Sequence, residues 1–182
     1  MHDIRTDAPP PRTALVLGAG IGGLTAAVAL RGLGLQVTVL ERAAGPAPAG
    51  AGLTLWPNAL RALGELGLRD AVAAAGRPIE ESAILEPDGA VLSTAPLERI
   101  TEHLGPVLAF HRADLHDVLL QAAGPGLVRY DARAVAVIDE EHRAGVVLAD
   151  GTELAADVLI AADGVGSVVR PTVVDRPSEP VY

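Results

Sequence analysis

Residues 13–41 read TALVLGAGIGGLTAAVALRGLGLQVTVLE, and the order of patterns in this stretch decides the fold. Thr13 to Leu17 is a short, apolar, β-prone run that stops at Gly18. Such a run reads as a strand buried on both faces of a parallel sheet. From Gly22 to Gly34 the period becomes helical: Leu24, Ala27, Val28 and Arg31 follow three-four spacing, and Gly32 and Gly34 provide the stop. Gln36 to Leu40 is a second buried strand, ending at Glu41-Arg42. Strand, helix and strand within about thirty residues form a βαβ unit with a right-handed crossover. The expected fold class is α/β, with a Rossmann-type core.

The glycines between strand and helix carry the chemistry. Gly18, Gly20 and Gly23 fill the fixed positions of G-x-G-x-x-G, with Ile21 and Gly22 between the last two. The first glycine permits the tight turn, the second lets the backbone approach a pyrophosphate, and the third lets helix and strand pack closely. N–H groups near Ile21 and Gly22 point at the anion with the helix dipole behind them. The bland alternative is a glycine-rich turn with no ligand. No Lys-Ser or Lys-Thr follows, which disfavours a Walker-type NTPase. Glu41 stands about twenty residues on, where a carboxylate accepts hydrogen bonds from adenosine ribose hydroxyls; a solvated strand-end acid is its alternative. A carboxylate there also repels the 2′-phosphate of NADP, so this first site favours FAD or NAD. To this point an NAD-dependent dehydrogenase fits as well as a flavoprotein.

Outward from this unit, a Gly/Ala/Pro-rich loop runs from Ala43 to Gly52, and Leu53 to Trp56 leads to Pro57, which suits the first turn of a helix. Leu60, Leu63 and Leu66 give that helix an apolar face. Glu81 to Pro96 reads as a hairpin turning at Pro87-Asp88-Gly89. A helix is expected from Arg112 to Ala123, with Leu115, Val118, Leu119 and Ala122 on one face. The period then switches to two, predicting short strands at 127–130, 134–138 and 145–148, and a buried strand from Asp157 to Ala161 that runs into Asp163-Gly164.

Composition narrows the function. Hydrophobic residues make up 49% of 182 residues, enough for a packed core, and no apolar run approaches the roughly 20 residues of a spanning helix. With no cysteine, disulfides, thiolate metal sites and a Cys nucleophile are excluded. The formal charge of −9, without a Lys/Arg cluster, argues against nucleic acid. The five histidines include no H-x-x-H pair, and Gly166-Ser-Val-Val is not a G-x-S-x-G elbow. Neither a metal site nor a catalytic acid–base constellation is expected, and a soluble cytoplasmic protein is the plain reading.

Four features separate the dinucleotide readings: the glycine fingerprint with Glu41-Arg42; GAGLTLWPNAL at 50–60; HRADL at 111–115; and DGVGSVVR at 163–170. In this order the chain, from Thr13 to about Arg170, resembles the aromatic-hydroxylase family of single-component FAD monooxygenases, the group of salicylate and hydroxybenzoate hydroxylases. The resemblance implies FAD as cofactor, NAD(P)H as co-substrate, and O2-dependent hydroxylation of a small aromatic or polycyclic substrate. It also implies roles: Glu41 on the ribose, Arg42 by the adenine end, the Gly50-Ala51-Gly52 loop near the ribityl chain and flavin, and Arg112 near the pyrophosphate. Val135 would meet adenine through its backbone, and Asp163-Gly164 would serve the pyrophosphate region and NAD(P)H. From the residues alone, Arg112 could instead pair with Asp114 or Asp117, and Asp163 could be a turn residue before a short helix capped by Ser167.

The layout expected is a disordered leader at 1–12, a first part of the FAD-binding domain at 13–78, and a substrate-domain hairpin at 79–104. A second part of the FAD-binding domain follows at 105–170 and an extended tail at 171–182. Family members continue into a second Gly-Asp motif and most of the substrate sheet, so the chain is expected to be a fragment, the N-terminal portion only. Alternatives are a nucleotide-binding module that assembles with a second chain supplying the other half, and a relative among FAD-dependent reductases or halogenases.

Overall fold

The computed structural model of the chain describes residues 10–46, 51–141 and 143–174. Two compact units are present, Met1–Pro46 with Pro125–Tyr182, and Ala47–Gly124. The first opens with the expected βαβ unit: β1 (Thr13–Leu17), α1 (Ile21–Gly32) and β2 (Gln36–Leu40). β1 and β2 pair in parallel, from Thr13 opposite Gln36 to Leu17 opposite Leu40. Leu24 and Ala27 of α1 are fully buried against this sheet, which is what the three-four spacing required.

The second unit contains β3 (Gly52–Leu55), α2 (Pro57–Glu65), α3 (Arg69–Ala75), β4 (Arg77–Pro78), β5 (Glu81–Leu85), β6 (Val91–Pro96), α4 (Glu98–Leu104), β7 (Leu108–His111) and α5 (Arg112–Ala123). β7 is the middle strand of a three-stranded sheet between β3 and β4. Leu115 and Leu119 of α5 are fully buried, and Val72 anchors α3. β5 and β6 form the expected hairpin, closed by the Gly89 N–H donating to the Glu86 carbonyl (2.9 Å). Four elements of this unit, α3, β4, α4 and β7, have no counterpart in the sequence reading, and 53–55 of the run that it left unassigned at 53–56 belong to β3.

The first unit resumes with β8 (Val128–Arg129), β9 (Ala134–Glu140), β10 (Arg143–Leu148), β11 (Glu153–Ala156), β12 (Val158–Ala161) and the single turn α6 (Arg170–Val173). The parallel sheet has the order β12-β1-β2-β8, and β9, β10 and β11 form an antiparallel meander. Leu15 and Leu17 of β1, with Leu40, pack on Val146 and Leu148 of the meander. Side chains alternate along a strand, so Ala14 and Val16 fill the opposite face, toward α1. Helix, sheet and meander thus make three layers in this unit.

Four expectations need correction. β2 is only partly buried because its first three residues reach the surface, and β12 is half-buried because, among the described residues, it is an edge strand paired only with β1. The leader is fixed at its last residue, since the Arg12 N–H donates to Asp157 (2.8 Å) and its carbonyl accepts the Gln36 N–H (2.8 Å). Residues 1–9 of that leader lie outside the described residues. The tail is helical over 171–173, with Pro171 in the first turn, where its missing N–H costs nothing. Its remainder from 175 lies outside the described residues.

Asp157 closes the start of β1 onto β12. Its carboxylate accepts the N–H of Arg12, the N–H of Thr13 (2.9 Å) and the Thr13 hydroxyl (2.8 Å), while its own N–H donates to that hydroxyl (3.0 Å). The Arg12 N–H foremost, then Thr13, hold the carboxyl below the usual aspartate range. A lowered folded-state value stabilises above the unfolded pKa of about 3.9 and is lost as pH falls through the folded one. Asp157→Asn is therefore expected to be less stable than the parent by a constant amount between about pH 5 and 7, with the difference shrinking below about pH 4 as pH falls toward the lowered folded-state value. Urea midpoints across this range check it, and a difference that persists undiminished in acid would exclude the charge as its origin.

Candidate functional site

The four glycines at the β1–α1 junction do different jobs. Gly18 has φ +102°, and a Cβ there would collide with the Ala162 carbonyl oxygen. On Gly23 a Cβ would overlap the Gly18 carbonyl oxygen itself. Around Gly20 and Gly22, in contrast, a Cβ would meet nothing within 4 Å. Two glycines are thus demanded by the protein, and two leave open space at the start of α1. Gly20 is the N-cap residue of α1, with no side-chain cap bond and no acid in the first turn. The first N–H groups of a helix have no intrahelical acceptor, so this end offers donors and partial positive charge to an anion.

Glu41 sits just beyond β2 and ties the loop to the sheet. One carboxylate oxygen accepts the Ala19 N–H (2.9 Å) and the other the Ala43 N–H (2.9 Å). Each oxygen keeps acceptor capacity beyond its one N–H bond. The Glu41 carbonyl accepts the Ala132 N–H (2.8 Å), which brings the segment after β8 alongside. Burial, and secondarily the Glu41 charge, push the nearby Tyr130 hydroxyl up, keeping it neutral.

The third wall is the loop after β12. Asp163 accepts the Val168 N–H (2.7 Å), and the Arg170 guanidinium donates to the carbonyls of Gly164 and Val165 (both 2.9 Å). Ser167 Oγ accepts the Arg170 N–H (3.0 Å) ahead of α6, whose N-cap residue is Val169 and not Ser167. These walls enclose a cavity of about 530 Å³, within the roughly 300–1,000 Å³ usual for ligand sites. Of the expected site residues it brings together Gly18, Gly20, Glu41, Arg42, Val135 and Asp163. Ile21 and Gly22 lie on the first turn beside Gly20, outside the lining, and Gly23 is buried beneath the loop.

Ala51 and Arg112 belong to the second unit, where the Arg112 N–H donates to the Ala51 carbonyl (2.9 Å) next to the β3–β7 pairing. Among the described residues Arg112 forms no ion pair with Asp114 or Asp117. Gly50 lies outside the described residues. Sequence reasoning missed Ala132, Arg133 and Ala134, which form the wall beside Val135, as well as Ala162, Gly166 and Val168. Their positions follow from backbone bonds, and the only sequence signal was their adjacency to Val135 and Asp163.

The chain is similar to known proteins in sequence and in fold. Residues 12–179 match the FAD binding domain family. The chain is 40% identical over 167 residues to the aurachin C monooxygenase/isomerase of Stigmatella aurantiaca, covering 91% of this chain and 44% of that protein. It is 42% identical over 164 residues to the 3-amino-4-hydroxybenzoate 2-monooxygenase of Streptomyces cremeus, covering 87% and 41%. The crystal structure of Klebsiella pneumoniae HpxO with FAD and uric acid superposes with a TM-score of 0.82 at 32% identity, covering 91% of this chain and 42% of that one. The chain therefore spans less than half the length of the curated relatives it matches.

Proposed function

Because the chain belongs to the FAD binding domain family, we propose that it is the FAD-gripping portion of a flavin monooxygenase that hydroxylates a small aromatic substrate with NAD(P)H and O2. The observation that carries this reading is the convergence, on one cavity, of an uncapped helix start, the Glu41 carboxylate and the Asp163 loop. The start of α1 with Gly20 would hold the pyrophosphate, and Gly20 and Gly22 leave it room. Glu41 would accept the ribose hydroxyls, Arg42 and the Val135 backbone would border adenine, and Asp163 would face the pyrophosphate side. Ala51 and Arg112 are proposed for the ribityl and pyrophosphate regions. Bound flavin supplies the redox and oxygen chemistry; the protein's residues position it and set its electrostatics. Relatives named for aminohydroxybenzoate and urate hydroxylation support a small ring substrate. Reduced nicotinamide as the electron source favours the cytoplasm, and no helix among the described residues is long and apolar enough to cross a membrane.

Among the described residues β12, a short apolar strand, lies at the edge of its sheet, which favours a second reading: a module to which a partner chain adds a strand. Calorimetric titration with FAD and with ADP tests the main reading. Both are expected to bind, with affinities within about tenfold, because the cavity walls carry the contacts of the ADP half. Binding of neither ligand would remove the proposal.

A further inference from the structure

We infer that Arg133 selects a purine at the base end of the nucleotide, an assignment that rests on the dinucleotide reading above. The backbone places it there. The Asp131 N–H donates to the Ala43 carbonyl (3.0 Å) and the Ala132 N–H to the Glu41 carbonyl (2.8 Å), so residues 131–132 run beside the ribose-binding end of β2. The Arg133 carbonyl accepts the Ala149 N–H (2.8 Å), which pins position 133 to the meander as well. Moving along a nucleotide from pyrophosphate to ribose, the next group past Glu41 is the base.

Side-chain chemistry agrees with that placement. Among the described residues none that lines the cavity is aromatic, so they offer the face of a bound base no ring to stack on. Arg133 lines the cavity, is exposed, and forms no ion pair among the described residues. An unpaired guanidinium is flat and weakly hydrated, and it lies favourably over an aromatic face. A purine presents a larger face than a pyrimidine, so the contact discriminates between them.

The test is calorimetric titration of the parent chain, Arg133→Ala and Arg133→Lys with ADP and with UDP, after matched thermal melts show that each variant is folded. Arg133→Ala is expected to weaken ADP about tenfold and UDP by less than about twofold, collapsing the purine preference. Arg133→Lys keeps the charge without the flat fork and should not restore that preference. Equal weakening of both nucleotides, unchanged ADP binding in Arg133→Ala, or full recovery in Arg133→Lys would each overturn the assignment while leaving the dinucleotide site intact. A parent chain that binds neither nucleotide would overturn the site and the assignment together.

Discussion

Gly23→Ala is expected to destabilise the chain by about 3 kcal/mol or more, the upper end of what one added methyl costs in a packed interior. The reason is the partner it meets. The new Cβ would overlap the Gly18 carbonyl oxygen, a backbone atom of a residue whose N–H is bonded to the Leu40 carbonyl (2.7 Å) and which cannot swing aside like a side chain. Relief requires α1 to lift from β1, breaking the burial of Leu24 and Ala27. Gly22→Ala is the control. It lies in the same helix turn, meets nothing within 4 Å, and should gain stability, by up to about 0.5–1 kcal/mol, from the lower entropy cost of alanine. If a pyrophosphate occupies the space beside the helix start, Gly22→Ala should nonetheless bind ADP more weakly. Urea denaturation paired with ADP titration separates the two effects. A Gly23→Ala chain as stable as its parent would show that α1 is free to shift on the sheet.

Glu41→Ala should lose on both counts. Removing the carboxylate deletes an acceptor from the N–H groups of Ala19 and Ala43, and Ala19 is 4% exposed, so water substitutes for that acceptor poorly. The expected stability loss is about 1–3 kcal/mol. ADP and FAD affinity should fall by a further ~1–3 kcal/mol from lost charge-assisted ribose bonds. Glu41→Gln keeps one acceptor oxygen and should fall between parent and Glu41→Ala in stability. The decisive measurement is the affinity of Glu41→Ala at a temperature where it is fully folded. Unchanged ADP affinity there would leave Glu41 as a loop anchor and remove it from the ligand site.

What was legible in the sequence is what only certain residues can do. The glycine fingerprint is readable because Gly18 and Gly23 tolerate no side chain, and Glu41 because a carboxylate at a strand end is chemically distinctive. α5 was readable because Leu115 and Leu119 repeat at helical spacing and are fully buried. α3 and α4 were not: α3 buries Val72 alone, and α4 buries nothing, so neither carries a period. The wall at 132–134 was hidden for another reason. It is placed by the Ala132 N–H and the Arg133 carbonyl, groups that nearly every residue possesses. Arg133 therefore looked like any other surface cation.

The first unit is written in two separated stretches, and this has a kinetic consequence. β1 is an interior strand, yet one neighbour, β2, follows it closely while the other, β12, pairs with it across a gap of 144 residues. As the chain emerges in synthesis, β1 and β2 meet early and the contiguous second unit comes next. β1 remains half-satisfied until β12 has been made, leaving one edge of unpaired N–H and C=O groups in the nascent chain throughout that interval. High contact order of this kind slows the closing step and lengthens the time during which a misplaced strand can take β12's seat.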